Sequence, residues 1–215
     1  MSTELRSPWP DNDLERLVAA TAADPSRGGE VYAELHHAHR TFQDRLSGAA
    51  LTDASELACR ITAALNGFSE ELAAHQVSEG NRWDGWRTDL PGRGHPLLPP
   101  YVVDEEGPST LSGRVTFGRY YLGGNGAAHG GSQPLLFDDM LGRLVNRGRN
   151  GVARTAYLKV NYRQVTPLGV ELHVWLQIDR EEGRKRWCTG TLSTADGVVV
   201  ADVEALFLAL LPGQP

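Results

Sequence analysis

Nine consecutive residues, Gly123-Gly124-Asn125-Gly126-Ala127-Ala128-His129-Gly130-Gly131, hold five glycines and one histidine directly before a segment of helical periodicity. Backbone N–H groups at a helix start have no partner within the helix and carry partial positive charge, so they bind anions and oxyanions. Glycine lets a ligand approach them closely. A plain strand-to-helix connection needs neither this density of glycine nor the histidine, so the segment points to a binding or catalytic loop. Three other loop chemistries do not fit. A dinucleotide fingerprint requires a third glycine where His129 stands, and no acidic residue follows at the distance needed to hold a ribose. A phosphate-binding P-loop requires Gly-Lys-Ser/Thr. A nucleophile elbow around Ser132 would end in glycine, but the chain has Pro134 there.

Asp138 and Asp139 interrupt the following apolar segment between Phe137 and Met140. Asp139 is expected on a solvated face. Asp138 lies a little over two turns beyond Gly130, and a carboxylate on a mostly buried helix is a candidate general base or nucleophile. Other reactive side chains carry less. His36, His37 and His39 with Glu34 suggest a metal site, but only His36 and His39 share a helix face, no third ligand is evident for that pair, and the group reads as a solvated helix face. Cys59 reads as a small core residue, and Cys188 alternates within a strand with nothing nearby to activate it. Trp83 and Trp86 flank a turn and read as loop anchors.

The elements that must position these residues fall into two parts, 1–95 and 96–215. The first is helical. Asp11 and Asp13 can cap a short helix closed by Pro25. Val31, Leu35, Ala38, Phe42 and Leu46 form the stripe of a second helix, with Gly48 where it would stop. Asp53 and Glu56 resemble a capping box for a third helix, whose stripe is Leu57, Ile61, Leu65, Phe68 and Leu72. Residues 81–100 are rich in glycine and proline and read as a long connection. Beyond them the period becomes two. Val115, Phe117 and Tyr120-Tyr121 suggest a strand. A single helix follows over about 131–146, then strands around 156–162, 172–178, 186–194 and 198–210, the last two joined at Asp196-Gly197. Within 156–162 the apolar Ala156, Leu158, Val160 and Tyr162 alternate with the polar Lys159 and Asn161, and Thr155 falls in the polar set. One helix within a mostly antiparallel sheet indicates an α+β fold.

Composition bounds the function. The 215 residues carry 21 Lys+Arg against 27 Asp+Glu, a formal charge of −6, which argues against nucleic-acid binding through phosphates. The absence of a run of about 18 apolar residues argues against a membrane span. The first residues lack the features of a secretory signal, and two isolated cysteines do not make a disulfide scaffold, so a cytoplasmic location is expected.

His129-Gly130-Gly131 with Asp138 nine residues after the histidine resembles the HGG…D signature of hotdog-fold acyl-CoA thioesterases, shared by the PaaI-like branch and the mammalian thioesterase-superfamily members. The likeness continues through Thr155-Ala156-Tyr157-Leu158-Lys159-Val160-Asn161-Tyr162-Arg163, Thr166-Pro167-Leu168-Gly169 and Glu182-Gly183-Arg184-Lys185, and covers about residues 96–211. The resemblance implies a long helix wrapped by a curved antiparallel sheet, preceded here by a helical N-terminal extension. It also implies a homodimer or a dimer of dimers with sites across the interface. On one helix Gly130 and Asp138 would be ~12 Å apart, too far to serve one carbonyl within a single chain. By resemblance the Gly130 amide, with Gly131 beside it, holds the thioester oxyanion, and Asp138 is general base or nucleophile. Thr155 orients the water or the carboxylate, and His129 shapes the loop or bonds the substrate carbonyl. Asn161, Arg163 and Arg184 match positions that contact CoA, where arginine suits phosphate. The implied reaction uses no metal or redox cofactor, because CoA is part of the substrate. The alternative from another class is a non-catalytic acyl-CoA sensor or carrier, which has no need of a carboxylate facing the thioester. A hotdog hydratase would use a different Asp/His arrangement.

Overall fold

The computed structural model describes residues 28–49, 56–73, 89–95, 97–149, 151–211 and 213. Helices α1 (Gly28–Gly48) and α2 (Glu56–Ala73) come first, followed by a short 3-10 turn at Pro91–Gly94. Strands β1 (Val102–Glu106) and β2 (Thr110–Thr116) precede α3 (Ser132–Asn146), and β3 (Ala153–Tyr162), β4 (Glu171–Glu182), β5 (Lys185–Ser193) and β6 (Val199–Ala209) follow it. The six strands form one antiparallel sheet in the order β1-β2-β4-β5-β6-β3.

The apolar residues of α3 explain this arrangement. Leu136, Phe137, Met140, Leu141, Leu144 and Val145 recur at three- and four-residue spacing and are all fully buried. Each contributes ~1.5–3 kcal/mol when removed from water. They meet the inward side chains of the strands: Leu111 and Val115 of β2, Leu172, Val174 and Leu176 of β4, and Val203 and Phe207 of β6. The other face of β4 carries His173 and Trp175, both exposed. One helix wrapped by a curved antiparallel sheet is the hotdog arrangement.

Several expectations are corrected. Tyr120-Tyr121 lie in a 3-10 turn, Arg119–Tyr121, after β2 has ended. β1 was not expected, because Val102-Val103-Asp104-Glu105-Glu106 has no alternating pattern. It is an edge strand with a charged border, a common device against edge-to-edge pairing. Cys59 is exposed, not core, because the faces of α2 around it stay open to solvent; Leu57 and Phe68 are 52% and 62% exposed. Asp11, Asp13, Asp53, Trp83 and Trp86 lie outside the described residues.

α1 reverses the expectation for its histidines. Of its apolar stripe, Leu35 and Leu46 are exposed, 63% and 41%, and Ala38 and Phe42 are half-buried, while His36 is buried. The polar side is the docking face: Arg40 donates to His36 Nε2 at 3.2 Å, to His95 O at 3.0 Å and to Leu98 O at 2.7 Å. Burial, then the positive charges of Arg40, His39 and His37, lower the His36 pKa from 6.5 to about 4. The folded chain therefore resists a proton that the unfolded chain accepts. The stabilisation is complete above pH 6.5 and is lost as pH falls from 6.5 toward 4. His39 and His95, both lowered chiefly by burial, act in the same sense. The melting temperature is expected to fall more steeply over this window in the wild type than in His36→Gln. Equal slopes would remove His36 as the sensitive group.

Candidate active site

Asp138 is exposed on α3 and accepts a hydrogen bond at Oδ1 from the Thr155 hydroxyl at 2.7 Å. Strand parity alone places Thr155 with Lys159 and Asn161, on the sheet face away from α3. A β-bulge between Thr155 and Tyr157 changes this. Ala156 is the extra residue, so Thr155 stands opposite buried Phe207, on the same face as Leu158, Val160 and Tyr162. The bulge turns the hydroxyl toward the helix, and Thr155 reaches Asp138 for that reason.

At the N-terminal end of α3 the glycine loop forms a second centre. The His129 carbonyl accepts both the Ser132 N–H, at 2.9 Å, and the buried Ser132 hydroxyl, at 2.6 Å. Across a trans peptide the N–H points opposite to the C=O, so the Gly130 N–H is turned outward. It has no acceptor among the described residues. The next peptide is held at both ends. Tyr162 donates its hydroxyl to Gly130 O at 2.7 Å, and the Gly131 N–H donates to His129 Nδ1 at 3.0 Å. In the neutral ring the proton then resides on Nε2, which makes that nitrogen a donor. Ser132 and Tyr162 were not singled out from the sequence as site residues. Ser132 serves as a cap-like brace here, and no nucleophile elbow forms. Tyr162 could have been found only by knowing that the end of β3 passes the helix start.

The Thr166-Pro167-Leu168-Gly169 turn supports the same loop. Ala128 N–H donates to Thr166 O at 2.9 Å, Gln133 Nε2 donates to Thr166 Oγ1 at 2.7 Å, and Ala127 bridges to Pro167.

Asp139, expected on a solvated face, is instead held inside. Arg93 Nε donates to its Oδ2 at 2.9 Å, a second guanidinium nitrogen reaches Oδ1, and the Tyr101 hydroxyl also donates to it. Arg93 and Asp139 side chains are only 8% and 12% exposed. Burial, reinforced by Asp139, holds the Tyr101 phenol far above its ordinary pKa. The turn preceding β1 supplies the charge that the apolar interior needs, so adjacent aspartates have opposite surroundings. Burial likewise pushes the Cys188 thiol up to about 12, leaving it unreactive.

Asn161 and Arg163 do not join either centre within the chain. Both bond Asp202 on the outer sheet face, Asn161 at 2.6 Å, and Arg163 followed by Asn161 lowers the Asp202 pKa. Arg184 donates to Ala209 O at 3.1 Å, at the sheet end where β3 begins, whereas Asn161 and Arg163 lie where β3 ends. Among the described residues no three His, Cys, Asp or Glu side chains gather as metal ligands, and no helix is long and apolar enough to cross a membrane.

No family model matches the chain. Solved structures are similar to it. One, a thioesterase superfamily protein, is 27% identical over 94% of this chain and 97% of its own, with a TM-score of 0.64. Thioesterase superfamily member 2 from Mus musculus is 16% identical over 49% of this chain and 79% of its own, with a TM-score of 0.46. A hypothetical thioesterase from Streptococcus pneumoniae TIGR4, solved with coenzyme A, is 17% identical over 51% and 87%, with a TM-score of 0.48.

Proposed function

We propose, from its likeness to a thioesterase superfamily protein that is 27% identical over 94% of this chain, that the chain hydrolyses an acyl-CoA thioester to a free acid and CoA. The observation that carries this reading is the Thr155–Asp138 hydrogen bond, made possible by a dedicated bulge on a strand bordering the loop with the free Gly130 amide. Binding alone would not require a carboxylate oriented in this way. In the proposed reaction the Gly130 N–H, with the His129 Nε2–H as a second donor, takes up the negative charge that develops on the thioester oxygen. Asp138, held at one oxygen by Thr155, uses the other to take a proton from the attacking water. The tetrahedral centre collapses and expels the CoA thiolate, which takes the proton held by Asp138, directly or through solvent, and the carboxylate is restored. Metal and redox chemistry are not needed for any step.

The site is proposed to be shared by two copies of the chain. Gly130 lies two residues before α3, and the helix then runs from Ser132 to Asp138 at ~1.5 Å per residue, so the two groups are roughly 10 Å or more apart. Tyr162, beside Gly130, and Thr155, beside Asp138, stand near opposite ends of β3. β3 is an edge strand paired only with β6, so its other edge has unpaired backbone groups. Two β3 strands meeting antiparallel about a two-fold axis would set the Gly130 end of one chain against the Asp138 end of its partner. The same operation brings Arg184 of one chain toward Asn161 and Arg163 of the other, where a CoA phosphate would lie.

The test has two stages. CoA release from a panel of aryl, short-chain and long-chain acyl-CoA esters is expected for the wild type. Tight binding without release across the panel would instead favour an acyl-CoA sensor. For the shared site, Asp138→Ala and Gly130→Pro chains, each inactive alone, are unfolded together and refolded as a mixture. Half of the dimers should be mixed, each with one intact site, giving roughly a quarter of wild-type turnover. No recovery in demonstrably mixed dimers would place both groups within one chain.

A further inference from the structure

The polar side of α1 meets the chain immediately before the glycine loop, and the contact is built on both sides. A Cβ on Gly118 would come within 2.3 Å of the Asp44 carboxylate, so only glycine allows this approach. Asp44 Oδ1 accepts the Tyr120 N–H at 2.8 Å. One turn earlier on α1, Arg40 Nη1 donates to the Tyr121 hydroxyl at 3.2 Å, and that hydroxyl donates to Leu98 O at 2.8 Å. Arg40 Nη2 reaches the same Leu98 carbonyl and that of His95. The guanidinium fork therefore fixes both the Tyr121 ring and the backbone it rests on.

Tyr121 is also the foot of the loop. Its carbonyl accepts the His129 N–H at 2.7 Å, and the adjoining Leu122–Ala128 bridge and the 2.7 Å Gly123 N–H to Ala127 O bond close the loop above it. Gly123 lies so near His129 that a Cβ there would fall 2.8 Å from the His129 Cα. The N–H of His129 is thus held by Tyr121, and its C=O, in the peptide that carries the Gly130 N–H, by Ser132. Any tilt of Tyr121 passes into His129 and the Gly130 amide that follows it.

We propose that Arg40 is a positioning residue: through Tyr121 it makes α1 a brace that sets the orientation of the His129–Gly130 amides. α1 then belongs to the machinery of the loop although it contributes no group to the reacting atoms. The kinetic consequence rests on the thioesterase reading; the effect on the loop does not.

The experiment measures residue-resolved amide exchange in the full chain together with steady-state kinetics, for the wild type, Arg40→Met, Arg40→Lys and Tyr121→Phe. In Arg40→Met, exchange at the His129 amide should accelerate about 10-fold or more while Met140 to Leu144 stay protected, as a local opening requires. kcat on the best ester should fall about 10- to 100-fold with KM within about 2-fold, the pattern of a misplaced transition-state donor. Arg40→Lys should recover part of both. Tyr121→Phe, which leaves Arg40 bonded to His95 and Leu98, should loosen His129 in the same direction and serves if Arg40→Met does not fold. Unchanged His129 exchange in folded variants overturns the proposal. So does faster exchange with wild-type kcat. If the wild type hydrolyses no ester, the thioesterase reading fails while the exchange data still decide whether α1 braces the loop.

Discussion

Replacing Asp138 by alanine is expected to lower kcat about 10³-fold, within the range for loss of a positioned general base, without unfolding the protein. Asp138 is exposed, and its side chain takes part in one described hydrogen bond, from Thr155. Truncation should therefore change stability by no more than about 0.5 kcal/mol. Affinity for CoA should be kept, because the free amide and the proposed phosphate-contacting arginines are untouched. Asp138→Asn keeps the shape and an acceptor for Thr155 but removes the charge, and it should be almost as inactive. Thr155→Val should cost less, about 10-fold, because the carboxylate remains but loses its fixed orientation. Turnover in Asp138→Ala above about a tenth of wild type would dismiss Asp138 as the base.

The neighbouring aspartate should behave in the opposite way. Asp139→Ala is expected to destabilise the fold by about 3–5 kcal/mol, the cost of leaving a buried charge without its partner. For a chain of this size that lowers the melting temperature by about 10 °C. The reason is geometric. The Arg93 and Asp139 side chains are 8% and 12% exposed, and Tyr101, 2% exposed, also donates to the carboxylate. Arg93 is further held in left-handed backbone at φ 57°, between Gly92 and Gly94 in the same region. The chain accepts that conformation to bring the guanidinium inward. The double variant Arg93→Met/Asp139→Leu should regain most of the loss, because apolar side chains of similar volume avoid the desolvation that the ion pair incurs. Protein that remains folded should keep kcat within about 3-fold. Thermal melts with kinetics below the transition measure both. A melting temperature within 2 °C of wild type in Asp139→Ala would show that the pair is solvated enough to lose cheaply.

Much of this was legible in the sequence where periodicity is strong. The helix expected over about 131–146 is Ser132–Asn146, and the two strands around Asp196-Gly197 are β5 and β6. The Gly130 amide and Asp138 stand out as candidates because glycine density and an acidic break in an apolar helix are local signals. The missing pieces depend on tertiary context. β1 is short and acidic and owes its existence to pairing with β2. Asp139 looked solvated because Arg93 is 46 residues earlier in the chain, within a segment that reads as a loop. His36 looked solvated because α1 docks by its polar side, contrary to the usual rule that the apolar stripe faces the core. Thr155 is singled out by resemblance, but alternation assigns it to the outer face, and the bulge places it on the inner one.

That misassignment has a consequence for how the chemistry could be lost over evolutionary time. One supernumerary residue, Ala156, is skipped by the ladder, so its neighbours Thr155 and Tyr157 stand opposite the consecutive residues Phe207 and Leu206. Deleting its codon would leave a regular ladder with Thr155 still opposite Phe207, so this position tolerates loss. Drawing Ala156 into the ladder opposite Phe207 would instead move Thr155 to Leu208 and turn its hydroxyl away from Asp138. Under the proposed reading, a descendant that irons out the bulge would keep its signature motif and lose the oriented carboxylate.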